Sequence, residues 1–279
     1  MSAAGDAGAP SAPYAPDLPT VVAVAVVAFA LAAVVHEGLG HGGACLAVGC
    51  APRMMTTMQF QGDEAGLGET AGRIIAAGGT IANVAAAALA AYWLRRRRDA
   101  VGPAWLFGWL FATVNALQAA GYPLYSGFTG IGDWASVVDG WSPAWLWRVG
   151  LVAVGAATYW LAVSKAMNGL GARLPGIGRR RVGPAYRYCL AAYLAGGILD
   201  VASGWHEPGG LFILLISGIA SSFGGTSGLA WGPQLLNDPA TAPAGLALPP
   251  IGRDRRWIAA AVVVGAVFIL VLGPGVALR

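Results

Sequence analysis

The chain has 279 residues, of which 57% are hydrophobic and only 11% are charged. Soluble domains carry about 25% charged residues, so this composition excludes an ordinary soluble domain and predicts a membrane protein. The 42 glycines suit close packing of helices in lipid. The net charge of +4 does not indicate nucleic-acid binding, because the arginines are clustered in the way that topology determinants are.

Apolar segments long enough to cross a bilayer, roughly 20 residues each, recur along the chain. They lie at 19–47, 72–94, 103–121, 143–165, 185–203, 209–231 and 257–277. The sixth is rich in Ser and Gly, which favours a kinked or re-entrant helix. We therefore predict an all-α polytopic protein of about seven transmembrane helices in contact with membrane lipid. Residues 1–17, rich in Ala and Pro, are expected to form a disordered tail.

Basic residues concentrate in three alternate loops, at 95–98, 165–187 and 253–256. The positive-inside rule assigns such loops to the cytoplasm. The first segment then runs outward, and residues 36–41, the loop 122–142 and His206 face the non-cytoplasmic side. The expected location is a bacterial plasma membrane.

The first apolar segment ends in His-Glu-Gly-Leu-Gly-His at positions 36–41, which holds two of the three histidines in the chain. Ionisable groups inside a bilayer are costly, so they mark functional sites by default. A His-Glu pair followed by a second His is how zinc hydrolases set two ligands beside a general base. The segment is therefore a candidate zinc site.

The spacing of the two histidines departs from the usual zinc motif, in which they lie four residues apart on one helix face. His36 and His41 are five apart, which separates them by about 140° around an ideal α-helix. A one-residue π-bulge would return both to one face, and so would local opening at Gly38 and Gly40. We favour the bulge, because the apolar helical pattern resumes after His41.

Three stretches together resemble the site-2-protease type of intramembrane zinc metalloprotease. They are His36-Glu37-(three residues)-His41, the segment Gly-Thr-Ile-Ala-Asn at 79–83, and a stretch from Asn115 through Pro123 to Asp133-Trp134. The first departs from the family in its spacing, the second has Thr in place of Pro, and the third has Trp in place of Gly. The resemblance covers roughly residues 20–140.

The resemblance implies a metalloprotease-like core at 18–142, followed by a C-terminal helical module at 143–279. It implies Zn²⁺ bound by His36, His41 and Asp133, with Glu37 as the general base and Asn83 supporting the substrate or transition state. The implied activity is hydrolysis of a peptide bond in a transmembrane or membrane-proximal segment of a protein substrate.

Alternatives stay open at the third ligand and at the function. Asp139 is followed by Gly as in the family motif, His206 could complete the site from the second half of the chain, and Cys45 lies one turn past His41 as a possible soft ligand. Alternative functions are a seven-helix zinc amidase that acts on a lipid through His36, His41 and His206, and a metalloprotease-like scaffold or transporter without catalysis.

Overall fold

A computed structural model describes residues 14–241 and 247–278. Of the predicted tail, residues 1–13 lie outside the described residues. The remainder of the tail contacts the folded body, since the Asp17 backbone N–H donates to Ile251 O at 2.7 Å and the Asp17 carboxylate pairs with Arg253.

Helices account for most of the described chain, and several change type along their length. The α-helices are α1 (Leu18–Val34), α2 (Gly43–Ala47), α3 (Glu69–Arg96), α4 (Gly102–Thr129), α5 (Asp133–Val137), α6 (Ala144–Gly171), α7 (Arg179–Ser203), α8 (Gly210–Ile213), α9 (Gly228–Trp231) and α10 (Arg255–Val267). Three π-helical segments follow α1, α8 and α10, at Val35–Gly42, Leu214–Gly224 and Phe268–Leu272. Short 3₁₀ turns occupy Gly204–His206 and Gly232–Asn237.

Five stretches of helix are long and apolar enough to cross a membrane: Leu18–Ala47, Glu69–Arg96, Ala144–Gly171, Gly210–Asn237 and Arg255–Leu272. Large apolar side chains such as Trp160 and Leu161 are exposed on α6, as expected of a surface that faces lipid. The chain is therefore a membrane-embedded helical protein. The third and fifth predicted spans form α4 and α7, which lie outside these five, so the count of seven crossings stays a prediction.

The first helix occupies the interior of the bundle. It packs against α4, α7 and α10, while α4 lies between α3 and α6. Phe29, Leu110, Met167 and Leu229 belong to a single buried cluster. The predicted core at 18–142 and the predicted C-terminal module therefore share one hydrophobic core.

A small antiparallel sheet covers one end of the bundle and was not predicted from the sequence. Its strands are β1 (Ala51–Met55), β2 (Phe60–Asp63) and β3 (Val276–Ala277), in the order β2-β1-β3. A disulfide between Cys45 and Cys50 joins the end of α2 to the start of β1. The idea that Cys45 is a soft metal ligand is therefore wrong, because its sulfur is already bonded to another sulfur.

The arginine-rich loops meet at the opposite end of the bundle. Arg173 donates to Arg98 O at 3.2 Å, and Leu248 N donates to Arg173 O at 3.0 Å. The ion pair between Asp17 and Arg253 places the start of α1 at this end as well. Because α1 rises about 1.5 Å per residue, His36 lies roughly 27 Å along the helix from its first turn, close to the far face of a bilayer about 30 Å thick.

Candidate metal centre

The first helix widens into a π-helix over Val35–Gly42 and returns to α-helix at Gly43. This confirms the predicted π-bulge. The wider turn brings the rings of His36 and His41 together, with their Nε2 atoms 3.2 Å apart and both side chains buried. Five-residue spacing and a shared face are thus compatible, because each π-helical turn accommodates an additional residue.

Glycines let α3 approach this π-segment closely. A Cβ added at Gly40 would lie 2.8 Å from Gly78 O, and one added at Gly79 would lie 2.6 Å from His36 Nε2 and 2.7 Å from His41 Nε2. All three distances are shorter than real Cβ contacts allow. The absence of a side chain at Gly79 therefore leaves the two imidazole edges room beside α3.

Asp133 joins the two histidines from the start of α5. Its Oδ2 atom lies 3.3 Å from His36 Nε2 and 3.4 Å from His41 Nε2. The preceding Gly132 has φ +92°, a conformation that glycine adopts readily and that turns the chain back into α5 at Asp133. This residue, predicted as the third ligand, is the acid that the fold brings to the histidine pair.

A hydrogen bond outside the cluster fixes the position of α5. Trp134 Nε1 donates to Thr80 Oγ1 at 3.0 Å, which ties the residue after Asp133 to α3. Both partners are positions at which the chain departs from the site-2-protease pattern. The two departures therefore contact each other across the site.

The donor atoms suit a zinc ion. Four-coordinate zinc holds nitrogen and oxygen ligands at about 2.0–2.1 Å, which places neighbouring ligand atoms about 3.3 Å apart. The three separations among His36 Nε2, His41 Nε2 and Asp133 Oδ2 are 3.2–3.4 Å. The protonation of His41 agrees, because its Nδ1–H donates to Ile75 O at 2.7 Å and leaves the Nε2 lone pair facing the cluster. Asp133 Oδ2 is buried without a hydrogen-bond partner among the described residues, as a ligand oxygen would be.

A cavity of about 850 Å³ opens beside these atoms. Glu37 is buried and lines it together with His36, His41 and Asp133. Ligand sites commonly occupy 300–1,000 Å³, so the space is sufficient for a small molecule or a short extended peptide segment. The opposite wall comes from the π-segment Leu214–Gly224, whose small side chains include Ser217 and Ser221.

Two residues at the site were not predicted from the sequence. Tyr122 stacks on the His36 ring, with centroids 4.3 Å apart and planes inclined by 10°, and Ser221 donates to its hydroxyl at 3.3 Å. Gln118, one turn earlier on α4, also lines the cavity. The sequence signal that could have indicated them is the four-residue spacing of Gln118 and Tyr122, which places two polar side chains on one face of an apolar helix.

The remaining predicted residues lie farther from the donor atoms. Asn83 is fully buried and donates to Gln118 Oε1 at 3.4 Å, so it borders the site through Gln118. Asp139 lines the cavity, and its backbone O accepts from Arg73 at 2.8 Å. His206 is exposed. Within residues 14–241 and 247–278, the group of side chains close enough to share a metal ion includes neither Asp139 nor His206.

Comparison with protein-family models, with curated proteins and with solved structures finds no match for this chain.

Proposed function

We propose that this chain is a membrane-embedded zinc metallopeptidase that hydrolyses a peptide bond in a transmembrane or membrane-proximal segment. The observation that carries the proposal is the meeting of His36, His41 and Asp133 within ligand distance beside Glu37 and a cavity. Three protein ligands with an open fourth position are typical of catalytic zinc sites, whereas structural sites are closed by four.

The donor set defines what the metal would contribute. His36 Nε2, His41 Nε2 and Asp133 Oδ2 would hold the ion, which when bound acts as a Lewis acid and lowers the pKa of water toward about 7. Ile75 O fixes the ring orientation of His41, and Trp134 with Thr80 fixes α5 beneath Asp133. These contacts keep the donors in place before a substrate arrives.

Glu37 is the residue proposed to move the proton. Its carboxylate removes a proton from the attacking water while the water oxygen forms a bond to the peptide carbonyl carbon. The same carboxyl group then delivers that proton to the leaving nitrogen as the C–N bond breaks. Glu37 is buried and lines the cavity together with the three donors, so its carboxyl group lies beside the position where a water would be held.

The cavity favours an extended substrate over an intact helix. Backbone carbonyls in a helix are hydrogen-bonded within the segment and hidden from attack. A transmembrane substrate must therefore unwind locally, and the freed backbone groups need polar partners. Ser217, Ser221 and Gln118 supply hydroxyl and amide groups along the cavity wall.

The experiment compares wild type with Glu37→Gln in lipid vesicles, using a fluorogenic peptide with a transmembrane segment. We expect Glu37→Gln to keep its zinc and to lose at least about 100-fold in turnover, because general base catalysis contributes about 10²–10⁴-fold. Asp139→Asn is the control, since this acid lines the same cavity outside the donor set. Turnover by Glu37→Gln at the wild-type rate would reject the role of Glu37.

The lipid amidase alternative depends on His206 as third ligand. His206 is exposed and lies outside the donor cluster, which favours the peptidase proposal. Loss of zinc from His206→Ala but not from Asp133→Ala would support the amidase. A wild-type protein that binds no zinc would support the scaffold or transporter.

We also propose that the site faces the non-cytoplasmic side of a bacterial plasma membrane. The disulfide between Cys45 and Cys50 lies at the end of the bundle that carries the site, and disulfides persist in oxidising compartments. Introduced cysteines at exposed positions test this with a membrane-impermeant maleimide on intact cells. We expect Glu64→Cys to react and Arg97→Cys to be protected, and the reverse pattern would overturn the orientation.

A further inference from the structure

Asp200 is an acidic residue near the end of α7 that the proposed chemistry does not use. It is partly buried, and among the described residues no side chain forms a hydrogen bond or an ion pair with its carboxyl group. Unpartnered acids at membrane depth are rare because they are costly to bury. The carboxyl group of Asp200 is therefore available to a partner that the described side chains do not supply.

A second, small cavity lies between α7 and the π-segment that carries the histidines. Its volume is about 20 Å³, which exceeds the roughly 10–15 Å³ that one water molecule requires. A water also needs two to four polar neighbours. The polar side chains lining the cavity are those of His36, Glu37, Thr57, Gln118, Tyr122, Asp200, Ser217 and Ser221.

The same cavity borders His36, which has one ring nitrogen without a hydrogen-bond partner among the described residues. His36 directs Nε2 toward Asp133 and His41, and its other ring nitrogen, Nδ1, is buried without a hydrogen-bond partner among the described residues. A histidine that binds a metal through Nε2 carries its proton on Nδ1, and that N–H is almost always donated to a carboxylate, a carbonyl or a water. His41 follows this rule through Ile75 O, whereas His36 Nδ1 meets no acceptor in residues 14–241 and 247–278.

We propose that one water molecule in this cavity accepts a hydrogen bond from His36 Nδ1–H and donates one to the Asp200 carboxyl group. The water gives the unpartnered ring nitrogen an acceptor and the unpartnered carboxyl group a donor. Asp200 is thereby a positioning residue, which fixes the tautomer and orientation of His36 through the water. Its effect on metal affinity rests on the proposed function, whereas the hydrogen-bonded link itself does not.

If this hydrogen-bonded link forms, the C-terminal half of the chain supports the ligand His36. Asp200 lies on α7 and Ser217 and Ser221 lie on the π-segment Leu214–Gly224, so residues after 143 complete the outer shell of a site whose donors all precede 142. Tyr122 closes the cavity from α4 by stacking on His36. A fragment that ended near 142 would therefore retain the donors and lose the support of His36.

The test uses ¹⁵N-histidine NMR of the full-length protein, which contains only three histidines. We expect the wild-type His36 signals to report the tautomer with the proton on Nδ1. Asp200→Leu should shift the His36 signals and leave those of His206 unchanged, whereas Asp200→Asn, which keeps an acceptor oxygen, should stay close to wild type. Asp238→Leu is the matched control, because Asp238 is exposed and lies outside this cavity.

The second readout is zinc affinity, measured by competition with a chelator. Loss of an outer-shell partner costs about 10–100-fold in metal affinity, so we expect that weakening in Asp200→Leu and less than about threefold in Asp200→Asn. His36 signals in Asp200→Leu identical to wild type would overturn the link, and so would equal shifts in the Asn and Leu variants. Should Asp200→Leu fail to fold, Asp200→Ala provides the same comparison.

These readouts separate the two proposals. A wild-type protein that binds no zinc, but whose His36 signals respond to Asp200→Leu, would reject the metallopeptidase and support the link. The opposite result is a wild-type protein that binds one zinc and in which Asp200→Leu changes neither the His36 signals nor the zinc affinity. That result would reject the link and support the metallopeptidase.

Discussion

The metal centre depends on the space that Gly79, which has no side chain, leaves for the rings of His36 and His41. The substitution Gly79→Ala tests this dependence. The added Cβ would lie 2.6 Å from His36 Nε2 and 2.7 Å from His41 Nε2. Non-bonded heavy atoms sit about 3.5–4.0 Å apart, so each ring would have to retreat by about 1 Å. Metal sites tolerate deviations of only about 0.2 Å in ligand distance. We therefore expect the zinc content to fall close to zero.

The same substitution should leave the protein folded. Inserting a methyl group into a packed interface costs about 1–3 kcal/mol. Alanine regains about 1 kcal/mol over glycine in a helix interior, which offsets part of that cost. The loss of zinc would then reflect the displaced rings and not unfolding.

The assay is zinc per chain in detergent-purified protein, paired with a thermal unfolding curve. Gly43→Ala is the control, because a Cβ there meets nothing within 4 Å and the residue directly follows the π-segment. We expect Gly43→Ala to keep wild-type zinc. Full zinc occupancy in Gly79→Ala would refute the reasoning, since it would mean that the rings do not bind metal in the position described.

Two further pairs of substitutions test individual contacts. Trp134→Phe removes the hydrogen bond to Thr80, and because that bond fixes α5, we expect zinc affinity measured by chelator competition to fall about 10-fold while Thr80→Val gives a similar loss. Unchanged affinity in both would show that α5 is held by other contacts. Gly155→Ala places a Cβ 2.5 Å from the backbone N of Leu124, which cannot move aside as the end of a flexible side chain does, so we expect a destabilisation of about 1–3 kcal/mol and a lower Tm. Gly150→Ala, whose Cβ meets nothing within 4 Å in the same helix α6, should keep the wild-type Tm, and equal Tm values for both variants would contradict this.

The π-segment at Val35–Gly42 could be predicted from the sequence because helix geometry leaves few options. Histidines five residues apart diverge by about 140° on an α-helix, so a shared site requires an extra residue in the turn. Asp133 is implied as the third ligand by the resemblance to the site-2-protease type, and the glycines before it permit the reversal that brings it back to the site. For the π-segment the information is local in the chain, whereas for Asp133 it lies in stretches spread over roughly residues 20–140.

The contacts that complete the site are not local, and the sequence does not reveal them. Trp134 and Thr80 are 54 residues apart, and Ser221 and Tyr122 are 99 apart. Such pairs depend on how α3, α4 and the second π-segment pack, which periodicity within one helix does not specify. The cavity shared by Asp200 and His36 likewise depends on the packing of residues that are far apart in the sequence.

The small sheet escaped prediction for a different reason. Strand β1 contains Pro52 and lacks strict alternation of apolar and polar residues, and β2 is only four residues long. β3 pairs with β1 from the far end of the chain. A short hairpin alone would be only marginally stable. The disulfide between Cys45 and Cys50 stabilises this one, because it holds the start of β1 against α2.

The decisive measurement for the proposed donor set is zinc per chain in purified wild type, His41→Ala, Asp133→Ala and His206→Ala. The proposed donor set predicts close to one zinc per chain in wild type and in His206→Ala, and close to none in His41→Ala and Asp133→Ala. No zinc in wild type, or undiminished zinc in Asp133→Ala, would contradict it.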